Sequence, residues 1–165
     1  MLLRETDGIL CDTCGNQYKR DFTYYSIEGQ MVLVRESVKA TNNMGKVVDF
    51  DMCEDCHAKM VKRCLDHLNP NPHIVQCEQC GEVHHGDFEY IWFIFSKVRV
   101  STPPGTNPNT DEVQYNLEVD KNVLDLKLDS KCYNEISDKV KETRRDYVRT
   151  AEVETAVRST RSEDQ

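Results

Sequence analysis

The chain has 165 residues, enough for one domain of ordinary size or two small ones, and a formal net charge of −8 from 29 acidic against 21 basic side chains. That balance excludes a protein that grips phosphate backbones over its whole surface and makes a protein partner the default expectation. The excess sits early: residues 131–165 carry eight basic and eight acidic side chains, so residues 1–130 hold all of it.

The opening run Met1-Leu2-Leu3-Arg4-Glu5-Thr6-Asp7 turns charged at once and no long apolar run follows, so neither a signal peptide nor a membrane span is expected. The expected setting is intracellular and cytoplasmic, where thiols stay reduced. Six of the eight cysteines fall in pairs at Cys-x-x-Cys spacing, Cys11/Cys14, Cys53/Cys56 and Cys77/Cys80. In a reducing compartment that spacing points to zinc rather than to disulfides.

In chain order, Cys11-Asp12-Thr13-Cys14-Gly15 reads as a knuckle, followed by strands Phe22–Ile27 and Met31–Val38 that turn near Glu28-Gly29-Gln30. Asn42-Asn43-Met44-Gly45 then turns the chain into a strand with Val48, Phe50 and Met52 at alternate positions. This strand runs straight into a helix at Cys53-Glu54-Asp55-Cys56, which ends near Leu68; a helix start favours the thiolate form of such a pair. Asn69-Pro70-Asn71-Pro72 is a stiff linker that forbids helix. A second knuckle, Cys77-Glu78-Gln79-Cys80-Gly81, precedes expected strands Phe88–Phe95, Lys97–Val100 and Val113–Val119, with a loop over 101–110. Asp120-Lys121-Asn122 turns into a strand carrying Leu124, Leu126 and Leu128, and a helix follows that can run to about Val157.

These two passages are one pattern written twice. A shift of 66 residues aligns Cys11, Cys14, Gly15, Asp21, Phe22, Tyr24, Val32 and Val34 with identical residues, 8 of 24 gapless positions. The shift then grows to 76, pairing Val47 with Val123, Asp49 with Asp125 and Cys56 with Cys132, and the ten extra residues fall in the loop.

A knuckle, a β-hairpin and a helix whose first turn supplies further ligands resembles the treble-clef zinc-finger group. The resemblance covers roughly 56 residues of the first copy and most of the second. It implies an α+β fold of two tandem zinc modules, residues 1–69 and 74–158, joined by a linker at 70–73 and followed by a frayed tail at 159–165.

Cys11, Cys14, Cys53 and Cys56 make a complete four-cysteine site, although Cys53 and Cys56 with Cys77 and Cys80 would also fit a zinc ribbon. The repeat favours closure within each copy. The second copy offers Cys77, Cys80 and Cys132, with Asp129 standing where the first has Cys53. Three thiolates with an aspartate can bind zinc; His84 or His85 is the alternative fourth ligand. A site that has lost its metal to an apolar core around Ile91-Trp92-Phe93-Ile94-Phe95 is the competing reading. One zinc ion is expected, and two if the second site is live. Cys64 reads as a small core hydrophobe, and His57, His67 and His73 as surface or linker residues.

No His-Glu-x-x-His, phosphate-loop or Gly-x-Ser-x-Gly signature is present, and four cysteines close zinc against water, so no enzyme is expected. The helix at Cys53–Lys59 looks like that of HNH nucleases, but no histidine lies between Cys14 and Cys53 to act as base, leaving at most a relic. The last helix carries Ile136, Val140, Tyr147, Val148 and Ala151 as a stripe, with Lys139, Lys141, Arg144, Arg145 and Arg149 as a basic centre. That helix outlasts its module and wants the first copy, a second chain or a partner to pack on. The reading is a zinc-binding adaptor or regulatory protein that binds a protein, with nucleic-acid binding in transcription regulation as the alternative.

Overall fold

A computed structural model of the chain describes residues 9–18, 21–64, 75–101 and 116–163. The described residues are α+β, and the order of elements repeats. Short strands β1 (Ile9–Leu10) and β2 (Gln17–Tyr18) close the first knuckle as an antiparallel ribbon. Strands β3 (Phe22–Arg35) and β4 (Ala40–Cys53) form a long hairpin that leads into helix α1 (Glu54–Cys64). The second half follows with β5 (Val75–Gln76), β6 (Val83–His84), β7 (Phe88–Ser101), β8 (Asn116–Asp129) and helix α2 (Ser130–Glu163).

The long strands correct the expected shorter ones. Glu28-Gly29-Gln30 is not a turn but the middle of a 14-residue strand. Gly29 is there for space: a Cβ would meet Val48 Cγ1 at 2.6 Å and Phe93 Cε1 at 2.9 Å, so the Phe93 ring lies where a side chain would be. The first hairpin turns instead through a 3-10 turn at Glu36–Val38 and left-handed Lys39, φ 48°. Asn42-Asn43-Met44-Gly45 is a bulged part of β4, with Gly45 at φ 94° and its amide donating to Asn43 Oδ1 at 2.8 Å. Lys97–Val100 continues β7 unbroken, and Asp120-Lys121-Asn122 lies within β8, whose irregularity is marked by Asn122 at φ 56°. α2 runs beyond Val157 to Glu163 and takes in most of the expected tail. The expected linker at Asn69–Pro72, the expected continuation of the first helix over 65–68 and most of the expected 101–110 loop lie outside the described residues.

The four long strands make one antiparallel sheet in the order β4-β3-β7-β8, so the halves meet at their inner strands. Tyr24 pairs with Val98 and Val32 with Tyr90, each pair being the repeat-equivalent of the other. Glu28 pairs with Ile94, its own equivalent at a shift of 66. A pseudo-twofold axis therefore passes through that pair. The expected apolar run Ile91–Phe95 divides by the two-residue period of a strand. Ile91, Phe93 and Phe95 enter the core, and Trp92 lies on the other face, its indole donating to Asp125 Oδ2 at 2.9 Å. The core is shared: Ile27, Phe50 and Met52 of the first half, Met60 and Cys64 of α1, Leu126, Leu128 and Val140 form one cluster with those three.

α2 crosses onto the first half. Thr143 is buried with its methyl 3.6 Å from where a Gly15 Cβ would stand. Arg144 donates to both carboxylate oxygens of Asp12, at 3.0 and 3.1 Å, and to the Asp49 carbonyl at 2.8 Å. Asp12 is fully buried, so Arg144 is the cation that makes its charge tolerable there.

Two substitutions test this packing by chemical denaturation. Gly29→Ala should cost about 1–3 kcal/mol, because the new methyl would fall within 3 Å of both the β-branched Val48 and the fully buried Phe93 ring. Arg144→Met keeps the aliphatic stem but strands Asp12; with the arginine partly exposed, a loss of about 2 kcal/mol is expected, below the range for a fully buried pair.

Candidate metal centres

Each half builds its site from the same three pieces. In the first, the Gly15 amide donates to the Cys11 carbonyl at 2.9 Å and the Cys11 amide to the Asn16 carbonyl at 2.8 Å, folding the knuckle. In the second, the Gly81 amide meets the Cys77 carbonyl at 2.8 Å and the Cys77 amide the Glu82 carbonyl at 2.9 Å. The acid after the first cysteine then ties knuckle to sheet. Asp12 Oδ2 accepts from the Asp51 amide at 2.8 Å, and Glu78 Oε2 from the Lys127 amide at 2.9 Å. The last residue of the long strand and the first turn of the helix carry the remaining two ligands.

The structure brings Cys11, Cys14, Cys53 and Cys56 together, with ligand atoms within 4.8 Å of one another. Tetrahedral thiolates at ~2.3 Å from an ion stand about 3.8 Å apart; the Cys14 and Cys53 sulfurs are separated by 3.9 Å. The Cys11 sulfur accepts from the Cys14 and Cys53 amides at 3.5 and 3.3 Å, and the Cys53 sulfur from the Cys56 amide at 3.5 Å. These donors neutralise sulfur charge as the backbone does at any helix start. The alternative set joining Cys53 and Cys56 to Cys77 and Cys80 is not among the clusters formed by the described residues.

The second cluster is Cys77, Cys80, Asp129 and Cys132, also within 4.8 Å. Asp129 ends β8 and uses its two oxygens differently. Oδ1 accepts from the Cys132 amide at 2.8 Å, an N-cap of α2. Oδ2 faces the cysteines, 3.3 Å from the Cys80 sulfur and 3.3 Å from His84 Nε2. His84 therefore stands beside the carboxylate rather than in its place, and it forms a further group with Glu82 around the same Asp129. His85 is exposed and belongs to none of these groups.

Sequence reasoning missed one residue in this arrangement. Tyr18 is the repeat-equivalent of His84: β1 pairs Ile9 with Tyr18 and β5 pairs Val75 with His84. Hydrogen bonding between the Tyr18 hydroxyl and Cys53, and burial after it, push the phenol's pKa up to about 12. Burial works against charge on Cys53, but hydrogen bonds from Tyr18 and from Cys56 outweigh it and bring that thiol down to about 7. In the second half burial likewise opposes charge on Asp129. Hydrogen bonds from the Cys132 amide, the neighbouring thiols and His84 outweigh it and hold the carboxyl below its ordinary range. The same β2/β6 position thus supports the fourth ligand in both halves. The 66-residue shift was the signal that could have found it.

The remaining expected residues are more scattered. His57 is not a surface residue: its ring stacks on Tyr25 at 3.5 Å and meets the Phe95 edge at 5.4 Å. Cys64 is buried in the core, and His67 and His73 lie outside the described residues. Of the basic group on α2, Lys139, Lys141, Arg145 and Arg149 are exposed, with Arg145 reaching back to the Lys141 carbonyl, whereas Arg144 is engaged by Asp12. All eight cysteines are free of disulfides. No helix among the described residues is long and apolar enough to cross a membrane. Searches for protein families, curated relatives and solved structures return no match to this chain.

Tyr18→Phe keeps the ring against Phe22, 6.2 Å away, and removes only the hydroxyl. Metal affinity at the first site should fall about tenfold or more, read by competition with a chromogenic chelator, while the second site is unchanged.

Proposed function

We propose that the chain is an intracellular, non-catalytic zinc protein built of two treble-clef-like modules, acting as an adaptor for a protein partner. The carrying observation is the pair of four-ligand clusters, each joining a knuckle to the start of a helix. Soft thiolates in tetrahedral array select zinc among common divalent ions. Cys11, Cys14, Cys53 and Cys56 would hold one ion, and Cys77, Cys80, Asp129 and Cys132 a second. With four protein ligands each ion has no open position for water, which supports a structural rather than a catalytic role. Zinc would replace protons that burial otherwise favours on Cys11, Cys56 and Cys132, whose thiols are all pushed up.

A protein partner is preferred over nucleic acid on one observation: Arg144, central to the basic stretch of α2, is committed to Asp12. The surface of α2 beyond it carries exposed Val148 and Val153, an apolar supplement suited to a protein.

Elemental analysis beside native mass spectrometry should find two zinc ions per chain in the wild type. It should find one in Asp129→Asn, which keeps the helix cap but not the anionic ligand. No zinc in the wild type would overturn the proposal; an unchanged count in the variant would remove Asp129 from the ligand set. Fluorescence anisotropy with a nonspecific DNA duplex should show no binding that weakens as salt rises; such binding would favour the nucleic-acid reading.

A further inference from the structure

The second cluster has a neighbour on its solvent side. Glu82, His84 and Asp129 bring their ligand atoms within 4.8 Å of one another. Glu82 immediately precedes β6 and His84 ends it, so the two-residue period of a strand sets their side chains on one side. The Glu82 carbonyl accepts from the Cys77 amide at 2.9 Å, which ties its backbone to the knuckle. The His84 ring stacks on Phe88 with 5.6 Å between centroids. Glu82 is exposed and His84 half-buried, so the group is open to solvent although Asp129 is buried.

The first half has no counterpart among the described residues. Its equivalent positions carry Asn16, Tyr18 and Cys53. All three therefore differ between the halves, and each difference puts a carboxylate or an imidazole where the first half has amide, phenol or thiolate. Closing a single zinc cluster accounts for Asp129, and a hydrogen bond to Asp129 accounts for His84. Neither accounts for Glu82.

We propose that Glu82, His84 and Asp129 bind a second divalent transition-metal ion beside the cluster, with Asp129 shared between the two ions. This rests on the reading that Asp129 completes a zinc site with Cys77, Cys80 and Cys132. Asp129 Oδ2 lies 3.3 Å from the Cys80 sulfur and 3.3 Å from His84 Nε2, which makes it the shared atom, while Oδ1 keeps the cap of α2. A carboxylate oxygen has two lone pairs, one for each ion. Nitrogen and oxygen ligands at ~2.0–2.2 Å from a common ion stand about 2.8–3.6 Å apart, and the His84–Asp129 pair already does. The ion takes the place of the proton between them, and the imidazole keeps its own proton on Nδ1. Four anionic ligands around one divalent zinc leave the cluster negative, which draws a further cation. Imidazole and carboxylates are harder than thiolates and suit manganese as well as zinc. With three protein ligands the ion keeps positions for water, so it exchanges while the thiolate-bound zinc stays.

The test is a manganese titration of the zinc-loaded full chain, first freed of loosely held metal by a mild chelator. Loss of the six-line electron paramagnetic resonance signal of aqueous manganese reads binding, and elemental analysis follows zinc in the same samples. One manganese per chain should bind saturably while two zinc ions remain, and added zinc should displace it. Glu82→Gln, at an exposed side chain, and His84→Gln should each weaken manganese about tenfold or more, whereas His85→Gln should not. Two zinc ions without saturable manganese binding would overturn this inference alone. Manganese binding unchanged by Glu82→Gln would overturn it too, and leave His84 as a support for Asp129 only. Fewer than two zinc ions in the wild type would overturn both this inference and the reading of the second cluster on which it rests.

Discussion

The pairing of β3 with β7 is the contact on which the rest depends. A two-stranded hairpin is marginally stable in water, and each half contributes one such hairpin with one helix. Joined along their inner strands, the hairpins become a four-stranded sheet whose central residues Ile27, Phe93 and Phe95 are all fully buried. Neither half could bury them alone. The sites are embedded in the same structure, since Cys11, Cys53, Cys77 and Cys132 belong to the common core cluster. The candidate metal clusters, sheet and helices are thus parts of one packed unit, and the duplication visible in sequence is not a pair of independent beads.

Within that unit the halves are alike where they must be and differ where one reaches across. Asp12 and Glu78 perform the same task, each receiving an amide from the strand that carries its ligands. Among the described residues only Asp12 is also held by an arginine, and that arginine comes from α2, 132 positions away in sequence. α2 has 34 residues against 11 in α1. At 1.5 Å per residue α2 is about 50 Å long, roughly 35 Å more than α1, and Thr143 and Arg144, already beyond the length of α1, lie against the first half's knuckle. The long helix, expected to seek a surface, finds part of it in its own chain.

The two clusters of candidate ligands and the repeat were legible because they depend on local spacing and on residue types with few other uses. Strand boundaries were less so. Gly29 and Asn43-Met44-Gly45 carry residues typical of turns, yet one serves a close approach by Phe93 and the other a bulge. The true turn at Glu36–Lys39 contains neither glycine nor proline, and only the left-handed Lys39 marks it. The β3–β7 pairing and the Arg144–Asp12 contact join distant positions, and no local pattern announces either. His57 was misplaced for a related reason: its stacking partner Tyr25 is on another strand.

Position 129 is where the two halves diverge most in chemistry, and it bears on whether the second centre has lost its metal. A helix cap alone would account for Asp129 Oδ1, and serine or asparagine would serve as well. It does not account for Oδ2, turned toward Cys80 and toward His84. Keeping an almost wholly buried carboxylate charged there takes hydrogen bonds from the Cys132 amide, the neighbouring thiols and His84, where a neutral capping residue would need none of them. Here the charge is retained, and the supporting residue differs with it, imidazole beside carboxylate where phenol stands beside thiolate. The two differences at contacting positions keep an anionic donor at the fourth corner of the cluster, which is what a cation at its centre would require.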